Sequence, residues 1–154
     1  MYAIIAIGLM VVIPVASVGI EFALVHDAAS LFYLVGKWFA FWGIGVRLLI
    51  AGINQAVRPG FTAKEIFNIA DPAAQTIVTE LGYANVAFGL IGILSLPFPN
   101  LFLTAAIVAG GLFLGLDGFL HVRSKDRNRN ETIAMVTDFV IPIAGLIYLV
   151  GTYA

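Results

Sequence analysis

Five runs of about twenty or more mostly apolar residues take up most of the chain, and a soluble fold of this length cannot bury them. A membrane-crossing helix needs about 20 such residues. The runs cover about residues 2–25, 30–53, 76–96, 101–120 and 132–153. Each is continuously apolar, whereas barrel strands would alternate over segments of about 10 residues. Of the 154 residues, 61% are hydrophobic and 11% charged. A soluble domain of this size still leaves roughly 30% of its unfolded surface in water, so a soluble enzyme or binding domain is excluded. Disorder is excluded too, because it requires low hydrophobicity and high charge. The expected fold is an all-α membrane protein: one domain, a five-helix transmembrane bundle with one short interfacial helix.

The connections fit that reading. His26-Asp27-Ala28-Ala29-Ser30 is long enough only for a tight helical hairpin. In Leu96-Pro97-Phe98-Pro99-Asn100, two prolines stop one helix and start the next. The long connection runs from Asn54 to Gln75. Thr62-Ala63-Lys64-Glu65 has capping-box spacing. It predicts a short helix over about 63–70, lying in the interface with Phe61, Ile66, Phe67 and Ile69 toward lipid. Asp71-Pro72 then reads as an N-cap followed by proline at the first helical position. The first run lacks a basic flank and is longer than a signal-peptide core, so it is taken as a retained span.

Charge sets the expected topology. Arg58 and Lys64 lie in one loop, and Arg123, Lys125, Arg127 and Arg129 in another, both on the side of the N-terminus. The other two loops hold no Lys or Arg. The positive-inside rule makes this a multi-pass inner-membrane protein with its N-terminus cytoplasmic and its C-terminus outside. Phe32, Tyr33, Phe98, Phe102, Tyr148 and Tyr153 fall near the outer boundary, as an aromatic belt would. The basic run from Arg123 to Arg129 resembles an anionic-lipid or nucleic-acid patch, but a topogenic loop accounts for it. With a net charge of -1, no nucleic-acid partner is expected.

Ionisable groups inside spans are costly and usually face the bundle interior. Arg47 and Asp138 lie about 10 Å inside the cytoplasmic end, and Glu80 and Asp117 about 6 Å, at a rise of about 1.5 Å per residue. They come from four different helices, which can bring them together at the bundle centre. Asp117 and His121 share a helix face, Arg47 and Asn54 are seven apart, and Pro142 deprives the Asp138 carbonyl of its helical partner. One guanidinium faces three carboxylates. A proton, a protonated His121, a bound cation or solvating water must meet the excess charge. Asp117, His121, Glu80 and Asp138 are metal-ligand types, but the Glu-x-x-His pairs of a di-iron bundle are absent and no metal site is assigned.

Toward the other surface, Glu21 and Lys37 read as a structural ion pair. Trp38 and Trp42 share a face beside them. They either line a pigment, quinone or lipid groove, or serve as belt and helix-packing residues. Gly111-Leu-Phe-Leu-Gly115 is a GxxxG that permits close helix contact within or between copies. There is no cysteine, and no Ser-His-Asp, P-loop or Rossmann pattern. No cofactor is legible.

The segment from Phe41 to Phe67, FWGIGVRLLIAGINQAVRPGFTAKEIF, resembles short bacterial integral membrane proteins of unknown function. That resemblance implies a bacterial inner-membrane protein and carries no site residues with it. Three functions stay open: a non-enzymatic component that forms a homo-oligomer or joins a larger membrane assembly, a proton- or cation-coupled carrier or channel, and an intramembrane enzyme. The bilayer is the one partner expected in every case.

Overall fold

The computed structural model describes residues 2–27 and 30–154. Ala28 and Ala29 of the first hairpin lie outside the described residues. Six helices are present: α1 (Ala3–Val25), α2 (Leu31–Val57), α3 (Pro59–Glu65), α4 (Ala74–Leu94), α5 (Pro99–Arg123) and α6 (Arg129–Tyr153). All but α3 are long and apolar enough to cross a membrane. No strand occurs among the described residues. The long helices begin and end within a few residues of the expected spans.

Two of the helices contain widened turns. Pro14 cannot donate to the Met10 carbonyl, and its ring crowds that oxygen. The chain ahead of it adopts π geometry over Gly8–Val12, with the Ile13 N–H reaching back to the Gly8 carbonyl. A second π stretch, Phe39–Val46, interrupts α2 immediately before Arg47. The two π stretches pack against each other.

Helix α2 is the centre of the bundle, in contact with α1, α4, α5 and α6. Its contact with α4 is made backbone to backbone. A Cβ added at Gly45 would stand 2.8 Å from the Gly92 carbonyl carbon, one at Gly52 2.6 Å from the Gly82 oxygen, and one at Gly89 2.6 Å from the Leu49 nitrogen. Such close approach is what small residues give membrane helices. By contrast, the GxxxG of α5 faces Pro142 of α6 at ordinary van der Waals distance, 3.8 Å from Gly111 and 3.4 Å from Gly115. On the other side of α2, Met10, Ile44, Leu48, Leu114 and Ile141 form a fully buried apolar layer. Outward faces carry large aliphatic side chains such as Ile4, Ile77 and Leu101.

The short helix differs from expectation. It spans Pro59–Glu65, not about 63–70. Proline at its first position, preceded by the non-helical Arg58, sets the start, and Thr62 lies inside the helix instead of capping it. Asn68 takes a left-handed φ of 57°, and the Phe67 N–H bonds the Thr62 carbonyl, which closes the C-terminus. Thr62, Ala63 and Ile66 are buried, so Ile66 does not face lipid, while Phe61 and Ile69 are exposed. Asp71 and Pro72 also differ from expectation: α4 begins at Ala74 with Ala73 as its cap, and the Asp71 side chain accepts the Ala73 N–H at 2.8 Å in the turn before it. Tyr148 is another correction: it is buried, with its hydroxyl 3.0 Å from that of Thr104, and does not join an exposed aromatic belt.

The glycine contact yields a paired test. Gly52→Ala should destabilise the protein in detergent by about 1–3 kcal/mol, the usual range for overpacking a close contact. Gly19→Ala, where nothing lies within 4 Å of the new Cβ, should be neutral or slightly stabilising. Thermal or denaturant unfolding followed by circular dichroism measures both.

Candidate functional site

One helical turn beyond the apolar layer, toward the end that carries the N-terminus, the interior becomes polar. The change is regular in sequence. Ile44 is followed three residues later by Arg47, Leu114 by Asp117, and Ile141 is preceded three residues earlier by Asp138. Three helices thus turn from apolar to ionisable at one level. The polar groups line a cavity of about 500 Å³. Its wall includes Arg47, Asn54, Gln55, Asn85, Asp117, His121 and Asp138, and its outer rim includes Arg58, Glu65 and Asn130.

Asp138 has no exposed surface. Its Oδ1 accepts from the Arg47 guanidinium at 3.5 Å, and its Oδ2 has no partner. Pro142, one turn later in α6, leaves the Asp138 carbonyl without its helical donor as well. His121 is buried beside Asp117, one turn along α5. Its Nδ1 lies 3.2 Å from Glu131 Oε1, and its ring stacks on Phe67 with centroids 6.3 Å apart. Asp117, His121 and Asp138 offer ligand atoms that all lie within 4.8 Å of one another. Across the cavity, Asn85 Nδ2 donates to Gln55 Oε1 at 2.6 Å, while the buried Asn85 Oδ1 is unpaired. Among the described residues these two oxygens are the buried side-chain polar atoms left without a partner, and both belong to residues lining this cavity. Both are acceptors.

Of the residues expected to converge, Arg47, Asn54, Asp117, His121 and Asp138 do line one cavity. Glu80 does not: it is exposed. Val78 is the buried residue of that stretch of α4, and this rotation carries Glu80 away from the interior. Glu131, Gln55 and Asn85 were not among the expected residues. Asn128 and Glu131 have capping-box spacing, and the Asn128 side chain does accept the Glu131 N–H at 2.9 Å. The Glu131 carboxylate instead turns inward to His121. Asn85 could have been found as the lone amide in an otherwise apolar run.

The opposite end holds a separate polar cluster. Lys37 donates to both Glu21 oxygens, at 2.7 and 2.8 Å, and the Trp38 indole N–H donates to Glu21 Oε2 at 2.7 Å. Trp42 donates to Ser17 Oγ at 3.2 Å. These bonds bind α1 to α2, so both tryptophans serve in helix packing.

Removing one partner of a buried ion pair leaves the other uncompensated and costs about 3–5 kcal/mol. Arg47→Ala should therefore destabilise the protein more than Arg47→Ala combined with Asp138→Asn. A double-mutant cycle on denaturant unfolding measures the difference, and additive single effects would contradict the pairing.

A family model described as a family of unknown function (DUF6790) matches residues 1–154. This agrees with the resemblance carried by Phe41–Phe67, so far as membership of an uncharacterised family goes. No curated protein and no solved structure matches the chain. With a match that runs through every helix described above, the chain belongs to the DUF6790 family of unknown function.

Proposed function

We propose that this is a small polytopic inner-membrane protein that takes up a cation into the cavity and moves it, alone or with a small solute, across the bilayer. The supporting observation is Asp138, wholly buried in an apolar bundle with one carboxylate oxygen unpaired at a cavity wall. Such a group is too costly to keep in a membrane for packing alone. The neighbouring layer of Met10, Ile44, Leu48, Leu114 and Ile141 is wholly buried and lines no part of the cavity. A polar cavity beside a dry apolar layer fits a carrier in one of its two access states better than an open channel.

The N-terminus and the cavity mouth are assigned to the cytoplasmic side, because the loops at that end carry Arg58, Lys64, Arg123, Lys125, Arg127 and Arg129. The chain has no cysteine, so single cysteines can report this directly. Lys125→Cys should resist an impermeant thiol reagent in intact cells, and Asn100→Cys should react; the reverse pattern would overturn the assignment.

Proteoliposomes test the carrier reading. Gradients of Na+, K+, Mg2+ and Mn2+, each followed with an entrapped ion-sensitive dye, should give flux above protein-free vesicles for at least one ion. Asp138→Asn should abolish it while the helical circular dichroism signal is kept. Wild-type flux equal to that of empty vesicles would remove the reading.

An oligomerising accessory role is the second reading, and one observation favours it. A shallow apolar groove of about 370 Å³ runs along the outside of α5 and α6, lined by Gly111, Gly115, Pro142 and Gly145 among others. A helix from a second copy would fit such a groove, and cross-linking in native membranes would capture it.

A further inference from the structure

We propose that Asp117, His121 and Asp138 form a binding site for one divalent first-row transition ion, with Glu131 holding the histidine in place from behind. The inference deepens the cation reading above by naming the class of ion and its ligands.

Distance comes first. Two ligands of such an ion, each about 2.0–2.2 Å from it, stand at most about 4.4 Å apart. The three donor atoms here already lie within 4.8 Å of one another. Three ligands spread evenly around one ion stand at most about 3.8 Å apart, so side-chain shifts of about 1 Å would close the set.

The state of each ligand is the second argument. Asp138 Oδ1 is occupied by Arg47, whereas Oδ2 is buried and unpartnered. This is an independent sign of a missing positive partner, beyond the mere gathering of acids. His121 has its Nδ1 beside the Glu131 carboxylate. In the neutral tautomer whose Nδ1–H is donated to that carboxylate, Nε2 is the nitrogen that would face the ion. A carboxylate behind a ligating histidine is the usual support in metal sites, where it orients the ring and raises its basicity.

Charge agrees. Asp117, Asp138 and Glu131 bring three negative charges, and Arg47 brings one positive. The balance is -2 with a neutral imidazole, which is the ligating form. A divalent ion cancels it, and a monovalent one does not. The donor set settles the class: one imidazole with two carboxylates suits Mn2+, Fe2+ or Zn2+, whereas Mg2+ and Ca2+ prefer oxygen alone.

Purified full-length protein, stripped with a chelator and titrated with MnCl2 or ZnCl2 in a calorimeter, tests this. The expected result is one ion per chain, with Mg2+ and Ca2+ bound at least 100-fold more weakly. Glu131→Gln should weaken Mn2+ binding about 10–100-fold, and Glu80→Gln should leave it unchanged. Should the variants fold poorly, the wild-type chain suffices. Labelled with 15N-histidine, its Mn2+ form should show directly coupled histidine nitrogen by electron–nuclear double resonance, a signal that His121→Gln removes and His26→Gln does not. Absence of stoichiometric binding, or binding without histidine nitrogen, overturns the site. Flux of Na+ or K+ without any Mn2+ or Zn2+ binding would sink this inference and leave the carrier reading standing. Binding without flux would do the opposite.

Discussion

The backbone contact between α2 and α4 is the constraint on which the interior depends. Between lipid-solvated helices there is no hydrophobic driving force, so association rests on van der Waals packing and a few hydrogen bonds. Glycines at 45 and 52 meet glycines at 92 and 82, and Leu49 lies against Gly89. The Gln55–Asn85 bond continues the same seam toward the cavity. With α4 drawn this close on one side, α2 is held with Ile44, Leu48 and Arg47 turned toward α5 and α6. The position of the guanidinium is thus set by residues that carry no charge.

Breaks in regular helix geometry cluster around the apolar layer. The π stretch in α1 ends just before Pro14, the π stretch in α2 ends just before Arg47, and Pro142 follows Ile141 in α6. Met10 and Ile44 lie inside the two π stretches, and Ile141 adjoins the proline. Wide turns of this kind occur mostly at functional positions. Here they do two things at once. They place the buried side chains of Met10 and Ile44 in the apolar layer, and they leave backbone carbonyls less firmly bonded at that level.

The span count and the approximate helix ends were legible in the sequence because twenty apolar residues in a row allow few alternatives. So was the convergence of Arg47, Asp117 and Asp138, which similar depth placed together, and of His121, which shares a helix face with Asp117. Azimuth was not legible for Glu80: four residues inside its helix end, it sits at the right depth on the wrong face, and α4 shows no strong amphipathic pattern to reveal this. Glu131 was misjudged for the opposite reason. The drawn span starts after it, yet α6 begins at Arg129 and carries Glu131 in its first turn. The short helix was misplaced because two start signals compete between Arg58 and Glu65. Proline at the first position prevailed over the capping-box spacing, since its fixed φ and missing N–H suit that position and no other in the helix.

Arg47 and a bound cation need not exclude each other. In low dielectric, a guanidinium close to a divalent ion is repelled strongly unless carboxylates stand between them. Asp138 is positioned to do this, with one oxygen toward Arg47 and the other unengaged. The arginine then acts on the site in two ways. It holds the carboxylate in one orientation, and it offsets one of the negative charges that the proposed ion would meet. A fourth carboxylate in place of exposed Glu80 would have deepened the well, and release would have slowed. With Glu80 exposed, the proposed ion would meet Asp117 and Asp138 as its carboxylate ligands, with Glu131 behind His121.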